Sequence, residues 1–274
     1  MLPPAVALTI AGSDCCGGAG IQADLKVFSL LGVHGLTAIT TIVAETPRKV
    51  YGVYPIAQDA LQEQISCLLS SYPVAAIKTG LLGPAGNIMA VAEVLQDCEI
   101  PLVADPVLGS STGTSFSSKE IVAAYRKHLL PLATVLTPNE PEAEILLGQP
   151  RRKKNPAELV RNLADKLETA VLLTGGHGAE EQIVDFLYAG GELTSFESPR
   201  LKLPTAHGTG CTLSSALAGL MAKGRELQEA VEEAKDIVNR SLRDSYQWPV
   251  GASCGELRAL NHLPQNLFEE PASK

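Results

Sequence analysis

The fold is decided by the stretch VALTIAGSDCCGGAGIQADLKVFSLLG, which runs from Val6 to Gly32. Its first residues, 6–11, are apolar and predict a buried strand, and the glycines that follow predict a turn. Residues 21–31 have the apolar spacing of a helix, and Gly32 stands where helices commonly end. A strand, a glycine-rich turn and a helix in this order form the repeating unit of α/β folds.

The same alternation continues outward along the chain. Further strands are predicted at residues 35–44, 75–79, 101–104, 134–137 and 170–174, with a pair of edge strands at 182–188 and 193–198. Helices are predicted at residues 59–69, 87–97, 118–130, 141–148, 157–167, 211–223 and 226–247. We therefore expect one α/β domain over residues 1–274, with a mostly parallel sheet, a core at about 5–250 and a C-terminal tail at about 251–274.

Composition and charge exclude several classes of partner. The chain has 274 residues, of which 45% are hydrophobic, and its net charge is −8. An acidic balance argues against nucleic acid or an anionic membrane as a general partner, and the basic run from Arg151 to Lys154 is interpreted as a solvated loop. No stretch approaches the ~18 apolar residues of a membrane span and the N-terminus lacks a basic leader, so we expect a cytoplasmic protein.

The six cysteines include an adjacent pair, Cys15 and Cys16, within the first glycine-rich turn. No Cys-x-x-Cys pair occurs, so the spacing indicates neither a zinc site nor a disulfide framework.

Polar residues follow several predicted strands at the point where each strand ends. They are Asp105, Thr137 to Asn139, Thr174 to Gly176 and the turn after Ala11. Ligands of open α/β sheets bind outside the carboxyl edge of the strands, so this is where we expect a functional site.

The strongest local signal for a ligand site is the loop His207-Gly-Thr-Gly-Cys211, which opens a helix of small residues. Gly208 and Gly210 allow close approach of a ligand, and the first amides of the helix form an anion site reinforced by the helix dipole. At this position the pKa of the Cys211 thiol should be lowered, which would let a thiolate take a proton from a hydroxyl. The alternative is an ordinary turn into a buried helix. The stretch is not a Walker A loop, because no Gly-Lys-Ser/Thr follows the glycines.

Three acidic residues are further candidates, each with a structural alternative. Asp24 could accept hydrogen bonds from a ligand, or simply stabilise the first turn of its helix. Glu142 could hold Mg²⁺ through water with Asn139 beside phosphates, although Asn139 is also a plausible helix N-cap. Asp105 could belong to the same Mg-phosphate region or could cap its strand.

The chain resembles the hydroxymethylpyrimidine/phosphomethylpyrimidine kinases of thiamine biosynthesis, within the ribokinase-like superfamily. The resemblance rests on Ala11-Gly-Ser-Asp with Gly-Gly-Ala-Gly-Ile-Gln-Ala-Asp-Leu-Lys26, Thr137-Pro-Asn-Glu-Pro-Glu142, Gly175-Gly-His177 and His207-Gly-Thr-Gly-Cys-Thr-Leu-Ser214. It implies a single ribokinase-like three-layer α/β/α domain with a small edge β-pair and no large lid, commonly a homodimer. It also implies ATP and Mg²⁺ as cofactors, with phosphorylation of 4-amino-5-hydroxymethyl-2-methylpyrimidine and then of its monophosphate.

The resemblance assigns roles to individual residues. The anion hole and reacting group would be Gly208, Thr209, Gly210 and Cys211, with Cys211 where most ribokinase-like enzymes have an Asp base. The pyrimidine would be bound by Gly12, Ala19, Asp24, Glu45 and Val107. ATP would lie near Asp105, Asn139, Glu142, Thr174, Gly176 and Lys235, and Mg²⁺ near Glu142 and Asp105.

Two departures from the family pattern bear on function. The family usually has Gln where this chain has Glu45, and an ionised Glu cannot donate to a ring nitrogen. Many relatives have Lys where this chain has Thr174, so Lys78 or Lys235 would have to compensate. Glu45 keeps open a pyridoxal or pyridoxine kinase, and a non-catalytic vitamin sensor is the alternative of another class. A sensor should have a damaged anion hole, whereas this loop is intact.

Overall fold

The computed structural model of the chain describes residues 2–109, 117–148, 155–175, 181–201, 207–249 and 256–263. The strands are β1 (Val6–Asp14), β2 (His34–Thr46), β3 (Lys49–Pro55), β4 (Val74–Thr79), β5 (Leu102–Ala104), β6 (Val135–Leu136), β7 (Ala170–Leu173), β8 (Gln182–Ala189), β9 (Glu192–Pro199), β10 (Tyr246–Pro249) and β11 (Glu256–Ala259). The helices are α1 (Gly20–Leu30), α2 (Gln58–Ser71), α3 (Ala85–Leu95), α4 (Lys119–Ala124), α5 (Glu140–Leu147), α6 (Pro156–Leu167), α7 (Thr209–Ala222) and α8 (Leu227–Arg243). None of the helices in these ranges is long and apolar enough to cross a membrane.

Nine strands form one sheet in the order β3-β2-β1-β4-β5-β6-β7-β8-β9. The six strands from β2 to β7 in that order pair in parallel, so their carboxyl ends meet at one edge. β3 adds antiparallel to β2 at one side, and the hairpin β8–β9 adds antiparallel to β7 at the other. The expected mostly parallel sheet with an edge β-pair is confirmed.

Helices cover both faces of this sheet, which gives the expected three layers. One apolar cluster joins the sheet to the helices from α2 to α6, and a second joins it to α1, α7 and α8. α1 and α7 approach closely because position 219 in α7 is glycine, where a Cβ would lie 2.8 Å from Leu31 Cδ1. This contact brings the C-terminal ends of the two helices together on one face of the sheet.

Three elements differ from their predicted extents. The helix predicted over 226–247 ends at Arg243, and Tyr246–Pro249 form a strand instead. The reason is that Tyr246 and Trp248 alternate with polar residues and their rings contact each other, which favours a strand. The helix predicted over 118–130 changes to a π turn at Tyr125 and to a 3₁₀ turn at Leu130, where Pro131 has no amide to donate. β3 was not predicted.

The described part of the segment predicted as a C-terminal tail packs onto the start of α7. β11 pairs antiparallel with β10, and Ala259 forms a bridge with His207. His262 is buried, and its Nε2 lies 2.9 Å from Thr212 Oγ1. This segment therefore supports the loop that the sequence singled out.

Candidate active site

A cavity of about 710 Å³ lies at the carboxyl edge of the sheet, where the parallel strands end. It brings together most of the predicted site residues: Gly12, Ala19, Glu45, Asp105, Val107, Asn139, Glu142, Thr174, Gly208, Thr209, Gly210, Cys211 and Lys235. Gly176 lies outside the described residues. Asp24 is not on the cavity wall, contrary to expectation, and its actual place is described below.

The loop into α7 is built around Gly208, which has φ 93° and so favours glycine. A Cβ at this position would overlap the Gly18 carbonyl oxygen, so the two glycine-rich loops can only meet here without side chains. A Cβ at Gly210, by contrast, would meet no atom within 4 Å. The first intrahelical amide bond is from Thr212 N to Gly208 O, which leaves the preceding amides of the first turn directed at the cavity. This geometry supports the predicted anion site.

The prediction that the pKa of Cys211 is lowered was wrong. Burial raises the pKa of this thiol to about 12, and the carboxyl groups of Asp105 and Asp24 add to the increase. Lys78 and the Gly20 amide act in the opposite direction without overcoming it. The helix start does face the thiol, but sequence position could not reveal two buried carboxyl groups beside it. Cys211 is therefore a neutral thiol over the ordinary pH range.

Asp24 and Lys78 form a fully buried ion pair between α1 and β4. Lys78 Nζ lies 3.0 Å from Oδ1 and 2.9 Å from Oδ2, and Thr9 Oγ1 donates to Oδ2 at 2.6 Å. Burial opposes the charge on Lys78, but Asp24, Cys211 and Asp105 together raise its pKa. Lys78 also lines the cavity, so Asp24 holds in place an ammonium group that faces it. The sequence suggested that Asp24 either accepts hydrogen bonds from a ligand or stabilises the first turn of its helix. The structure instead pairs it with Lys78.

Asp105 and Glu142 place two carboxyl groups on the cavity wall. Ser214 Oγ donates to Asp105 Oδ2 at 2.9 Å. Glu142 Oε1 and Oε2 accept from the amides of Leu108 and Asn139 at 3.2 and 3.0 Å, and Asn139 Oδ1 accepts from Glu142 N. This is a capping box at the start of α5, so the structural alternative for Asn139 is confirmed. Burial raises the pKa of Glu142 to about 8, with Asp105 adding to the increase.

The other end of the cavity carries Asp14, Glu45 and His207. Of these, the sequence assigned a binding role to Glu45 alone and named His207 only as the first residue of the loop before α7. His207 Nε2 lies 3.1 Å from Asp14 Oδ2, and Glu45 lines the same end of the cavity, where the charge of Asp14 acts on its carboxyl group. Burial opposes ionisation of Asp14, yet hydrogen bonds from His207, Cys16 and Ala19 hold its pKa below the usual range. Burial and the charge of Asp14 raise the pKa of Glu45. Asp14 is therefore the more acidic carboxyl group of the pair, and the pKa of Glu45 lies above its ordinary value. The Gly-Ser-Asp turn was the available signal for Asp14.

Two lysines, Lys78 and Lys235, were proposed to supply the positive charge that Thr174 lacks, and both line the cavity. Thr174 bridges to Asn139, which joins the ends of β6 and β7. Lys235 Nζ lies 2.5 Å from Asp185 Oδ2 and 2.8 Å from the Phe196 carbonyl oxygen. Each candidate ammonium group, Lys78 and Lys235, is thus already paired with a buried carboxylate.

Comparisons with known proteins agree with this geometry. A family model described as phosphomethylpyrimidine kinase matches residues 14–258. The hydroxymethylpyrimidine/phosphomethylpyrimidine kinase of Escherichia coli (strain K12) is 40% identical over 252 residues, covering 91% of this chain and 95% of that protein. The phosphomethylpyrimidine kinase structure from Clostridium difficile 630 is 33% identical with a TM-score of 0.76, and the match covers 86% of this chain and 99% of that one.

A pyridoxal kinase is also similar. The structure of the Bacillus subtilis pyridoxal kinase in complex with ADP is 35% identical with a TM-score of 0.81, covering 94% of this chain and 97% of that chain. These solved structures confirm the ribokinase-like fold that the motifs implied. The matched residues 14–258 include β2 and every later parallel strand, together with the glycine-rich loops before α1 and α7. The chain is therefore a kinase that belongs to the phosphomethylpyrimidine kinase family.

Proposed function

We propose that the protein uses ATP to phosphorylate 4-amino-5-hydroxymethyl-2-methylpyrimidine and then its monophosphate, giving the diphosphate used in thiamine biosynthesis. The observation that carries the proposal is that one cavity joins the anion site of α7 to the Asp14–Glu45 pair. The first can hold a phosphoryl group, and the second can recognise a polar ring. The family match and the relatives' names support this substrate class.

The raised pKa of Glu45 favours its neutral form, and that form answers the difficulty that the sequence raised. A neutral carboxylic acid offers one O–H donor and one carbonyl acceptor, which is the same pattern that the amide of Gln presents. The donor matches a ring nitrogen of an aminopyrimidine and the acceptor matches its amino group. Burial favours this neutral form of Glu45, and so does the negative charge of Asp14, whose own carboxylate is stabilised by several donors. Glu45 can thus read the ring as Gln would.

Phosphoryl transfer in this cavity depends on charge stabilisation. The amides at the start of α7 and the ammonium group of Lys78 would stabilise the charge that spreads over the phosphoryl oxygens during transfer. The neutral Cys211 thiol lines the same cavity and interacts with Lys78, so we assign it to positioning the acceptor hydroxyl. A loose transition state needs little proton removal before the new O–P bond forms, which is consistent with a thiol that stays protonated.

The cavity also fits the Mg²⁺ that the family implies. Asp105 and Glu142 supply oxygen ligands, which this ion prefers, and both side chains are already held by protein donors. They would therefore hold the ion through water, as expected from the sequence. When bound, Mg²⁺ neutralises charge on the phosphate oxygens of ATP.

The test is to incubate the protein with Mg-ATP and each candidate acceptor, and to identify the products by mass. We expect the pyrimidine to gain one and then two phosphoryl groups. Gly210→Val should abolish transfer without unfolding the protein, because its side chain would cover the anion site while meeting no protein atom at Cβ. Cys211→Ala should lower kcat, whereas Cys67→Ala, an exposed position off the cavity wall, should not. Absence of any phosphorylated pyrimidine would refute the proposal.

Pyridoxal is the second candidate acceptor, because the similar Bacillus subtilis protein is a pyridoxal kinase and Glu45 could pair with a pyridine nitrogen. Measuring kcat/KM for both acceptors separates the two. A clear preference for pyridoxal would replace the first candidate with the second.

A homodimer remains the expected assembly. It is supported by Ile42, Tyr51 and Tyr54, which are 49%, 67% and 61% exposed on the edge formed by β2 and β3. Light scattering coupled to size-exclusion chromatography gives the mass directly, and Tyr51→Lys with Tyr54→Lys should shift it from dimer to monomer.

A further inference from the structure

The turn between β1 and α1 carries a thiol, Cys16, that the proposed transfer does not use. Cys16 is exposed, and its Sγ lies 3.3 Å from Asp14 Oδ2. His207 Nε2 reaches the same oxygen at 3.1 Å from the other side. One oxygen, one sulfur and one nitrogen atom therefore meet, all within 4.8 Å of one another.

These distances have the size expected for ligands of one metal ion. Zinc binds oxygen and nitrogen at about 2.0–2.2 Å and sulfur at about 2.3 Å, so tetrahedral ligand atoms lie roughly 3.3–3.6 Å apart. The two measured separations from Asp14 Oδ2 are 3.3 and 3.1 Å. We propose that Asp14, Cys16 and His207 bind a divalent metal ion of the zinc type at the wall of the cavity.

The Asp14 ligand is oriented before any metal arrives. Its Oδ2 accepts from the amides of Gly18 and Ala19 at 3.0 and 2.8 Å, and its Oδ1 accepts from Cys16 N at 2.8 Å. Such outer partners fix a ligand's direction and strengthen a metal site.

Binding exchanges hydrogen bonds for metal bonds. The Sγ–H bond of Cys16 breaks, a sulfur–metal bond forms, and the proton passes to solvent. The metal ion replaces the hydrogen bond between His207 and Asp14 and binds both side chains directly. Because thiolate, imidazole and carboxylate together suit Zn²⁺ and not Mg²⁺, this site is chemically distinct from the oxygen-only region of Asp105 and Glu142.

One consequence rests on the proposed function. Asp14, Glu45 and His207 line the end of the cavity assigned to the acceptor ring. A metal ion held there would block the ring while leaving the anion site of α7 open. Zn²⁺ should therefore inhibit competitively against the pyrimidine and not against Mg-ATP.

The test measures metal binding itself, so it does not depend on the proposed function. The full chain, kept reduced and freed of metal with a chelator, is titrated with Co²⁺ and Zn²⁺ by absorption spectroscopy and calorimetry. We expect one tight site, a sulfur-to-cobalt charge-transfer band, and release of the thiol proton. Cys16→Ser should remove the band and weaken Zn²⁺ binding by more than about tenfold. Cys15→Ser and Cys67→Ser, which change two other exposed thiols, should leave both intact.

Three results would overturn the proposal. They are equal Zn²⁺ affinity in Cys16→Ser and the wild type, a cobalt spectrum without a thiolate band, and equal loss of binding in Cys67→Ser. A melting temperature for each variant shows that the comparison is made between folded proteins. Metal binding without inhibition would leave the site standing and remove only the acceptor-end assignment.

Discussion

The buried pair of Lys78 and Asp24 allows a sharp separation of stability from catalysis. We consider Lys78→Met, Asp24→Asn and the double variant, which keep the side chains close to their original size. Both residues are fully buried, and their charged atoms lie 2.9–3.0 Å apart. Removing one partner of such a pair costs about 3–5 kcal/mol, because the other charge is left uncompensated in the interior.

The two single variants should not be equal. In Lys78→Met, both Asp24 and Asp105 lose their cation, so the loss should lie at the upper end of that range. In Asp24→Asn, Lys78 keeps Asp105 as a nearby carboxylate and the Thr9 hydroxyl can still donate to position 24, so the loss should be smaller. The double variant leaves no unpaired charge at this pair. We therefore expect it to be less destabilised than Lys78→Met alone, with a coupling energy of about 2 kcal/mol or more.

The pH dependence supplies an independent check on Lys78→Met. Burial raises the pKa of Asp24, so a folded protein lacking Lys78 holds a proton that the unfolded chain loses. Folding stability of this variant should fall as pH rises above the ordinary range of an Asp carboxyl, and it should recover on acidification.

Urea unfolding followed by circular dichroism measures the free energy of unfolding of each variant. The exposed pair of Arg225 and Glu233, whose side chains are 52% and 44% exposed, is the matched control. Glu233→Gln should change stability by about 1 kcal/mol or less.

Activity gives the second readout. Because Lys78 lines the cavity, the double variant should regain stability and still have kcat lowered by about 10²–10³-fold. Additive losses of stability would show that the two residues are not coupled. Recovery of kcat in the double variant would show that Lys78 does not act on the phosphoryl group.

Three further outcomes follow from the site. In the wild type, KM for the aminopyrimidine should rise as pH climbs through the raised pKa of Glu45, because the neutral acid is lost. Glu45→Gln should flatten this pH profile. Equal pH dependence of KM in both proteins would refute the role of Glu45. Gly208→Ala should lower the free energy of unfolding by about 2 kcal/mol or more, because Gly208 has a φ of 93° and a Cβ there would overlap the Gly18 carbonyl oxygen. Gly210→Ala should instead leave the melting temperature unchanged and lower kcat. In the folded protein Glu142 holds a proton up to about pH 8, whereas the unfolded chain loses it near the ordinary pKa of Glu. The free energy of unfolding of the wild type should therefore fall as pH rises between these two pKa values. In parallel urea titrations, the free energy of unfolding of Glu142→Gln should fall less over the same pH range.

The sequence alone determined the order of most elements and the edge where the site lies, but not β3, β10 or β11. The strand at 6–11, the turn after it and the loop before α7 were all recognisable because apolar spacing and glycine positions depend on neighbours in the chain. Residues at the ends of β1, β5, β6 and β7 were brought to one cavity as expected, since parallel strands present their carboxyl ends together. Asn139 shows the limit of such reasoning, because it is at once the N-cap of α5 and a cavity residue.

Only the tertiary structure decided the charge states and the pairings. Asp24 and Lys78 are 54 residues apart, and Asp14 and His207 are 193 apart, so no local pattern links them. The thiol of Cys211 stands at a helix start, which by itself favours the thiolate, yet burial and two carboxyl groups keep it protonated. Ionisation depends on burial and on charges a few ångströms away, and both are set by which distant segments the fold brings into contact. For the same reason the Asp14–Cys16–His207 cluster is visible only in three dimensions.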